Sequence, residues 1–223
     1  MAKKKAAKTQ PKYTAYNPFP THVVTRDWEG MDKLNSELTT QVWRMRAKDP
    51  EGLYRSNQSG TWHSQDNFLE KTGDAGQKLK VMFAEAFGQW GQLHGMKSDG
   101  SVSINMAAWA MLYSDRGYAA VHTHPNCHVS AVYHVSDTTE KQDQIMATGV
   151  PVRSGDFEFV VPDHREYQLP FMQLSRSAVT GFQAGRITVF PSNLAHYVHP
   201  IIGEGERITI ACNGTFLPPK EIK

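Results

Sequence analysis

From residue 101 onward the chain breaks into short β-rich runs separated by Gly, Pro, Asp and Asn turns, a texture that admits few folds. The predicted strands are 101–113, 118–123, 129–135, 157–161, 171–175, 186–190, 194–199 and 206–212. Eight short strands with turns at such spacing close into a sandwich or barrel. The preceding residues read differently. Met31, Leu34, Leu38, Val42 and Met45 recur at helical spacing over 31–47, and Leu79, Met82, Phe83, Ala86, Phe87 and Trp90 share one helical face. An entering strand and turn are expected over 18–30. The expected fold is mainly β (α+β): a jelly roll with N-terminal helices packed on one outer sheet. Residues 16–217 read as one domain, with a helical preface over 31–96 and a β core over 101–213.

Composition narrows the setting. The chain has 223 residues, 39% hydrophobic and 21% charged, which fits a soluble globular domain. No apolar run approaches the roughly 20 residues that span a bilayer, and the N-terminus lacks a secretory apolar segment. Cys127 and Cys212 fall in predicted strands, where reduced thiols act as small apolar residues, so a reducing cytoplasm is expected. Five lysines lie within the first twelve residues; without them the net charge of +2 becomes negative. Residues 1–15 are therefore expected to be a disordered, solvated tail rather than a nucleic-acid arm, and no membrane partner is expected.

Histidines carry the chemistry. His122 and His124 sit two apart in a strand-like run, where side chains alternate, so both point to one side. A first-row transition metal needs neighbouring ligands that converge in this way. His196 lies in a later strand-like run, and Arg207 follows eleven residues on, with Thr209 on the same strand face. A lone His-x-His is weak evidence in a chain with 10 histidines; the combination is specific. The remaining histidines have blander readings. His128 and His134 read as core or cleft residues, and His164 and His199 as surface residues near the rim. His63 can face the cleft, or its segment can serve as a helix start capped by Ser64.

The order Trp109, His122, His124, Pro125, Ser130, Tyr133, Phe190, Pro191, Ser192, His196, Val198, Pro200, Arg207, Thr209 and Asn213 resembles the 2-oxoglutarate and iron(II)-dependent oxygenases of the double-stranded β-helix superfamily. It is most similar to a branch common in bacteria and their viruses. Phe19, Pro20, Thr21 and the Trp62, His63, Ser64 run extend the likeness over about residues 17–215. The resemblance implies an oxidoreductase that uses Fe(II), 2-oxoglutarate and O2 and releases succinate and CO2. It also implies iron ligation by His122 and His196 and a distal cosubstrate carboxylate held by Arg207, Thr209 and Tyr133. One position departs from the pattern: His124 stands where relatives carry Asp or Glu. Three completions stay open. They are an all-histidine triad of His122, His124 and His196, a water in the carboxylate's place, or a carboxylate from elsewhere such as Asp163. The substrate class is open between a protein or peptide, a nucleotide and a metabolite, with loop 136–156 expected to close over it. Two other classes compete: a cupin-like three-histidine dioxygenase that needs no 2-oxoglutarate, which leaves Arg207 without a role, and a non-catalytic jelly-roll binding module.

Overall fold

The computed structural model describes residues 14, 20–55, 59–97, 99–139, 143–145, 151–160 and 177–218. The basic tail, the strand expected at 171–175, Asp163 and His164 lie outside the described residues. In chain order the elements are β1 (Val24–Asp27), α1 (Asp32–Lys48), β2 (Thr61–His63), α2 (Phe68–Lys71), α3 (Gly73–Leu93), β3 (Ser103–Tyr113), β4 (Ala119–His122) and β5 (Val129–Asp137). They continue with β6 (Asp143–Ile145), β7 (Pro151–Arg153), β8 (Phe157–Val160), β9 (Ser177–Thr180), β10 (Arg186–Pro191), β11 (His196–Val198) and β12 (Arg207–Leu217).

Two antiparallel sheets form the β core. The larger has the order β1-β10-β5-β12-β3-β2, the smaller β4-β11-β8-β9, and β6 and β7 make a separate hairpin. This is the expected jelly roll with helices on its outer sheet. Strand alternation sorts β12 into two faces. Ile208, Ile210 and Cys212 join Leu34, Leu38, Leu79, Phe83 and Phe87 in a core beneath α1 and α3. Ala211 on the opposite face joins Trp109, Val132, Phe157, Phe190 and Ile201 between the sheets. The helix-side core is well packed: burying a Leu or Phe side chain contributes about 1.5–3 kcal/mol, and Leu38, Leu79, Phe83 and Phe87 are completely covered. Gly214 lets α3 approach, since a Cβ there would lie 2.9 Å from Phe87 Cε2. No described helix is long and apolar enough to cross a membrane.

The strand expected within 18–30 is β1 at Val24–Asp27, and other expectations change. Loop 136–156 contains the β6–β7 hairpin. Trp62 and His63 belong to β2, an edge strand paired with β3. Ser64 does not cap a helix; its Oγ accepts from Ala110 N at 2.8 Å and extends that pairing. Cys127 lies in the turn after β4, not in a strand.

Candidate active site

The smaller sheet sets two histidines side by side. His122 ends β4, His196 begins β11, and they are direct cross-strand partners. Each ring is oriented by its own backbone. His122 Nδ1 donates to Ala120 O at 2.7 Å, and His196 Nδ1 donates to Leu194 O at 2.8 Å. Those bonds place the proton on Nδ1 and leave the Nε2 lone pairs to ligate, the usual way a protein fixes a metal-binding tautomer. His124 arrives by another route than expected. It lies two residues beyond the end of β4, and its backbone N–H donates to Ser192 O at 2.8 Å. This bond draws the turn inward, so His124 Nε2 stands 3.2 Å from His196 Nε2.

One ligand atom from each of the three histidines lies within 4.8 Å of the others. Two ligands at adjacent positions of a first-row metal, with bonds of about 2.1 Å, stand about 3 Å apart, so this spacing fits an ion. Among the described residues no carboxylate joins the group. Burial holds all three imidazoles below the ordinary histidine pKa, His124 and His196 to about 3, where the neighbouring histidines add to the effect. All three are therefore neutral near pH 7, the form that ligates.

The triad lines a cavity of about 580 Å3 between the sheets. Arg207, Thr209 and Tyr113 line the same cavity. Arg207 is only 1% exposed, yet its Nε finds no hydrogen-bond partner. Its guanidinium lies 5.3 Å from the Tyr113 ring centre and 5.9 Å from that of Phe182. Burial lowers its pKa, while Tyr113, Asp137 and Asp156 favour the charge. Arginine stays protonated in proteins, so this is a buried cation with an unused N–H in a cavity. Gly155 makes room for its stem, since a Cβ there would lie 3.3 Å from Arg207 Cδ.

The structure corrects the expectation for Tyr133. That ring faces the helices, where its hydroxyl donates to Asn35 Oδ1 at 2.6 Å, and it does not line the cavity. The tyrosine beside the arginine is Tyr113, Arg207's cross-strand partner in the β3–β12 register. Burial pushes its hydroxyl pKa up to about 12, so it stays neutral. His134, expected as a core or cleft residue, is the second residue near this end of the site. It pairs with Thr209 across β5 and β12, is completely buried, and has no partner at either ring nitrogen. Burial and the charge of Arg207 hold it neutral. Strand register was the signal for both residues, and register is not visible in one sequence. His199 is not a rim residue; it is buried against Glu158. His128 is exposed, and its Nδ1 accepts from Phe216 N at 3.0 Å.

Residues 107–213 match the model of a family described as "Putative 2OG-Fe(II) oxygenase". No curated protein matches the chain in sequence. Among solved structures the chain is similar to a prolyl-4-hydroxylase from Pseudomonas putida, with 14% identity, TM-score 0.55, and 86% of this chain and 91% of that one covered. It is also similar to HygX from Streptomyces hygroscopicus, solved with nickel and 2-oxoglutarate bound, with 10% identity, TM-score 0.57 and coverages of 89% and 83%. A third is a prolyl hydroxylase from Trichoplax adhaerens in complex with a hypoxia inducible factor peptide, with 11% identity, TM-score 0.59 and coverages of 86% and 83%. Identities this low carry the fold alone.

Proposed function

We propose that this chain, whose residues 107–213 belong to the 2OG-Fe(II) oxygenase family, is an iron(II) and 2-oxoglutarate-dependent dioxygenase. His122, His124 and His196 would hold the metal, and Arg207 and Thr209 the distal carboxylate of 2-oxoglutarate. The observation that carries this reading is the buried Arg207 Nε without a partner, in the same cavity as three converging imidazoles. A planar guanidinium with an unmet N–H suits a carboxylate, which accepts two parallel bonds from it. The direct-binding dioxygenase leaves that atom unexplained. His134, buried beside Thr209 with no partner at either ring nitrogen, would offer a further N–H to the same carboxylate.

When bound, iron and 2-oxoglutarate supply the activation of O2 that no side chain here can perform; substrate R–H, 2-oxoglutarate and O2 become R–OH, succinate and CO2. The protein's part is placement and exclusion of water. Backbone carbonyls of Ala120 and Leu194 hold two imidazoles in the ligating tautomer. Arg207 and Thr209 set how deeply the cosubstrate sits. Trp109, Met111, Val132 and Phe157 line the cavity with apolar surface that keeps water from the reacting atoms. A neutral His124 in place of a carboxylate leaves the site one charge more positive than a two-histidine, one-carboxylate set, which weakens its hold on iron.

The test is succinate production. It should require added iron(II), O2 and 2-oxoglutarate together. His196→Ala should abolish iron binding and succinate release while circular dichroism stays that of the parent. Full iron affinity in that variant contradicts the metal assignment.

A further inference from the structure

The cavity has further polar lining besides Arg207 and the histidine triad. Arg55, His63 and Asp66 make up this polar wall, together with Asn105, Asn126 and Asn213. His63 is 3% exposed and its ring lies parallel to Trp109, with centroids 5.5 Å apart and planes 7° from coincidence. Its Nδ1 donates to Ser64 O at 2.6 Å. That bond leaves Nε2 as an acceptor, and no described residue donates to it. His63 also stands close enough to His122 and His124 to interact with them electrostatically, so this wall borders the metal position.

Asp66 repeats the pattern. Its Oδ2 accepts from Arg55 at 2.7 Å, while Oδ1 is buried with no hydrogen-bond partner. The segment carrying both residues is fixed by its backbone. Ser64 N donates to Ala110 O at 3.0 Å, and Ala108 N donates to Asp66 O at 3.1 Å. The wall is therefore built in advance, not assembled from mobile side chains. The unmet atoms on His63 and Asp66 are both acceptors. Its one cation, Arg55, is already paired with Asp66, which makes the pair close to neutral and a poor seat for an anion.

We propose that Arg55, His63 and Asp66 form the subsite for the substrate to be oxidised, and that it takes a non-anionic group rich in N–H donors: an amine, guanidine or primary amide. This rests on the oxygenase reading for what happens next, but not for the binding itself. His63 Nε2 and Asp66 receive the donors, and the Trp109 ring provides the floor beneath them. An anionic substrate group meets two acceptors and is rejected. Sites built around hydrogen bonds discriminate strongly, because a mismatched ligand leaves buried polar atoms unmet.

The probes are butanamide, butylamine and butyrate, which share one carbon skeleton. Binding is read by saturation-transfer NMR on zinc(II)-loaded protein with 2-oxoglutarate present. Butanamide and butylamine should each bind at least about tenfold tighter than butyrate. In His63→Phe, which keeps the ring on Trp109 and removes the acceptor, that preference should collapse to within about twofold. Asp66→Asn, with its ring wall intact, should reduce the preference in the same direction. Butyrate binding as tightly as the amide, an unchanged preference in both variants, or no binding by any probe overturns the proposal. A separate titration of 2-oxoglutarate keeps the two readings apart: failure to bind it removes the oxygenase reading, while a His63-dependent preference for the amide still stands.

Discussion

The two faces of the larger sheet follow different rules. On the helix side, buried polar atoms have partners: Tyr133 hydroxyl reaches Asn35, Trp62 Nε1 reaches Asp49 O, and Thr72 reaches Phe68 O. On the cavity side several do not. Among the described residues the buried side-chain atoms without partners are Asp66 Oδ1, both ring nitrogens of His134, Thr188 Oγ1 and Arg207 Nε. Asp66 and Arg207 line the cavity, His134 pairs with Thr209, and Thr188 pairs with cavity-lining Val132. One sheet thus carries a satisfied face that supplies stability and an unsatisfied face that keeps bonding capacity for ligands. Because β12 contributes to both, substitutions one residue apart should have opposite signatures.

Truncation on the helix side should have the largest effect. Phe87→Ala opens a cavity beneath Gly214 and should cost about 3–5 kcal/mol in urea unfolding, leaving 2-oxoglutarate affinity in the folded fraction unchanged. A large loss of affinity in that variant would mean that the faces are not separable.

Arg207→Met inverts the pattern. It should weaken 2-oxoglutarate binding by about 2–5 kcal/mol in calorimetry, mostly from leaving a carboxylate unpaired. Its unfolding free energy should change little, because losing the attraction of Asp137 and Asp156 is offset by removing the desolvation cost of a buried cation. A variant that unfolds more easily but binds normally would assign Arg207 to structure.

Acid should act through the cavity side as well. His63, His124 and His196 are held at about 4, 3 and 3 by burial, below the ordinary 6.5. The unfolded chain therefore takes up protons below 6.5 that the fold refuses. Stability is full above that pH and is lost progressively as pH falls toward 3–4. Between pH 7 and 6 the metal-free protein should lose about 2 kcal/mol through these three groups. Saturating zinc(II) should raise stability without changing this slope, since the ligating rings are already neutral in the metal-free fold. A metal-free stability that is flat over this interval would contradict the burial of neutral His63, His124 and His196.

His134→Phe tests the quietest part of the contrast. Loss of one N–H to a carboxylate should weaken 2-oxoglutarate about tenfold, with the ring's place against Phe182 retained. The same variant should bind pyruvate, which lacks the distal carboxylate, as the parent does. Equal losses for both acids would mean that His134 acts through packing.

Periodicity made much of this molecule legible. Leu79, Met82, Phe83, Ala86 and Phe87 mark a helix face wherever they occur, and alternation along 206–212 already separated Arg207 and Thr209 from Ile208 and Ile210. Pairing between strands was not legible. Tyr133 looked like the cosubstrate's tyrosine because it sits in a strand beside the right motif, but parity turns it toward Asn35. Tyr113 and His134 reach Arg207 and Thr209 only through register. His124 shows a different limit: strand parity was the argument for it, yet a turn held by Ser192 O places it. The hairpin of β6 and β7 lies in a stretch of polar residues with no alternation to read.

In the proposed oxygenase, Arg207 holds the far carboxylate of a cosubstrate whose near end meets the metal. Anaerobic titration of the iron(II) protein with 2-oxoglutarate and with pyruvate, followed by the visible charge-transfer absorbance, tests it directly. Both acids share the chelating 2-oxo acid end, so both should give the band. The parent should prefer 2-oxoglutarate by about thirtyfold or more, and Arg207→Met should erase that preference while keeping iron. A parent protein that binds iron yet treats the two acids alike, or responds to neither, contradicts the claim.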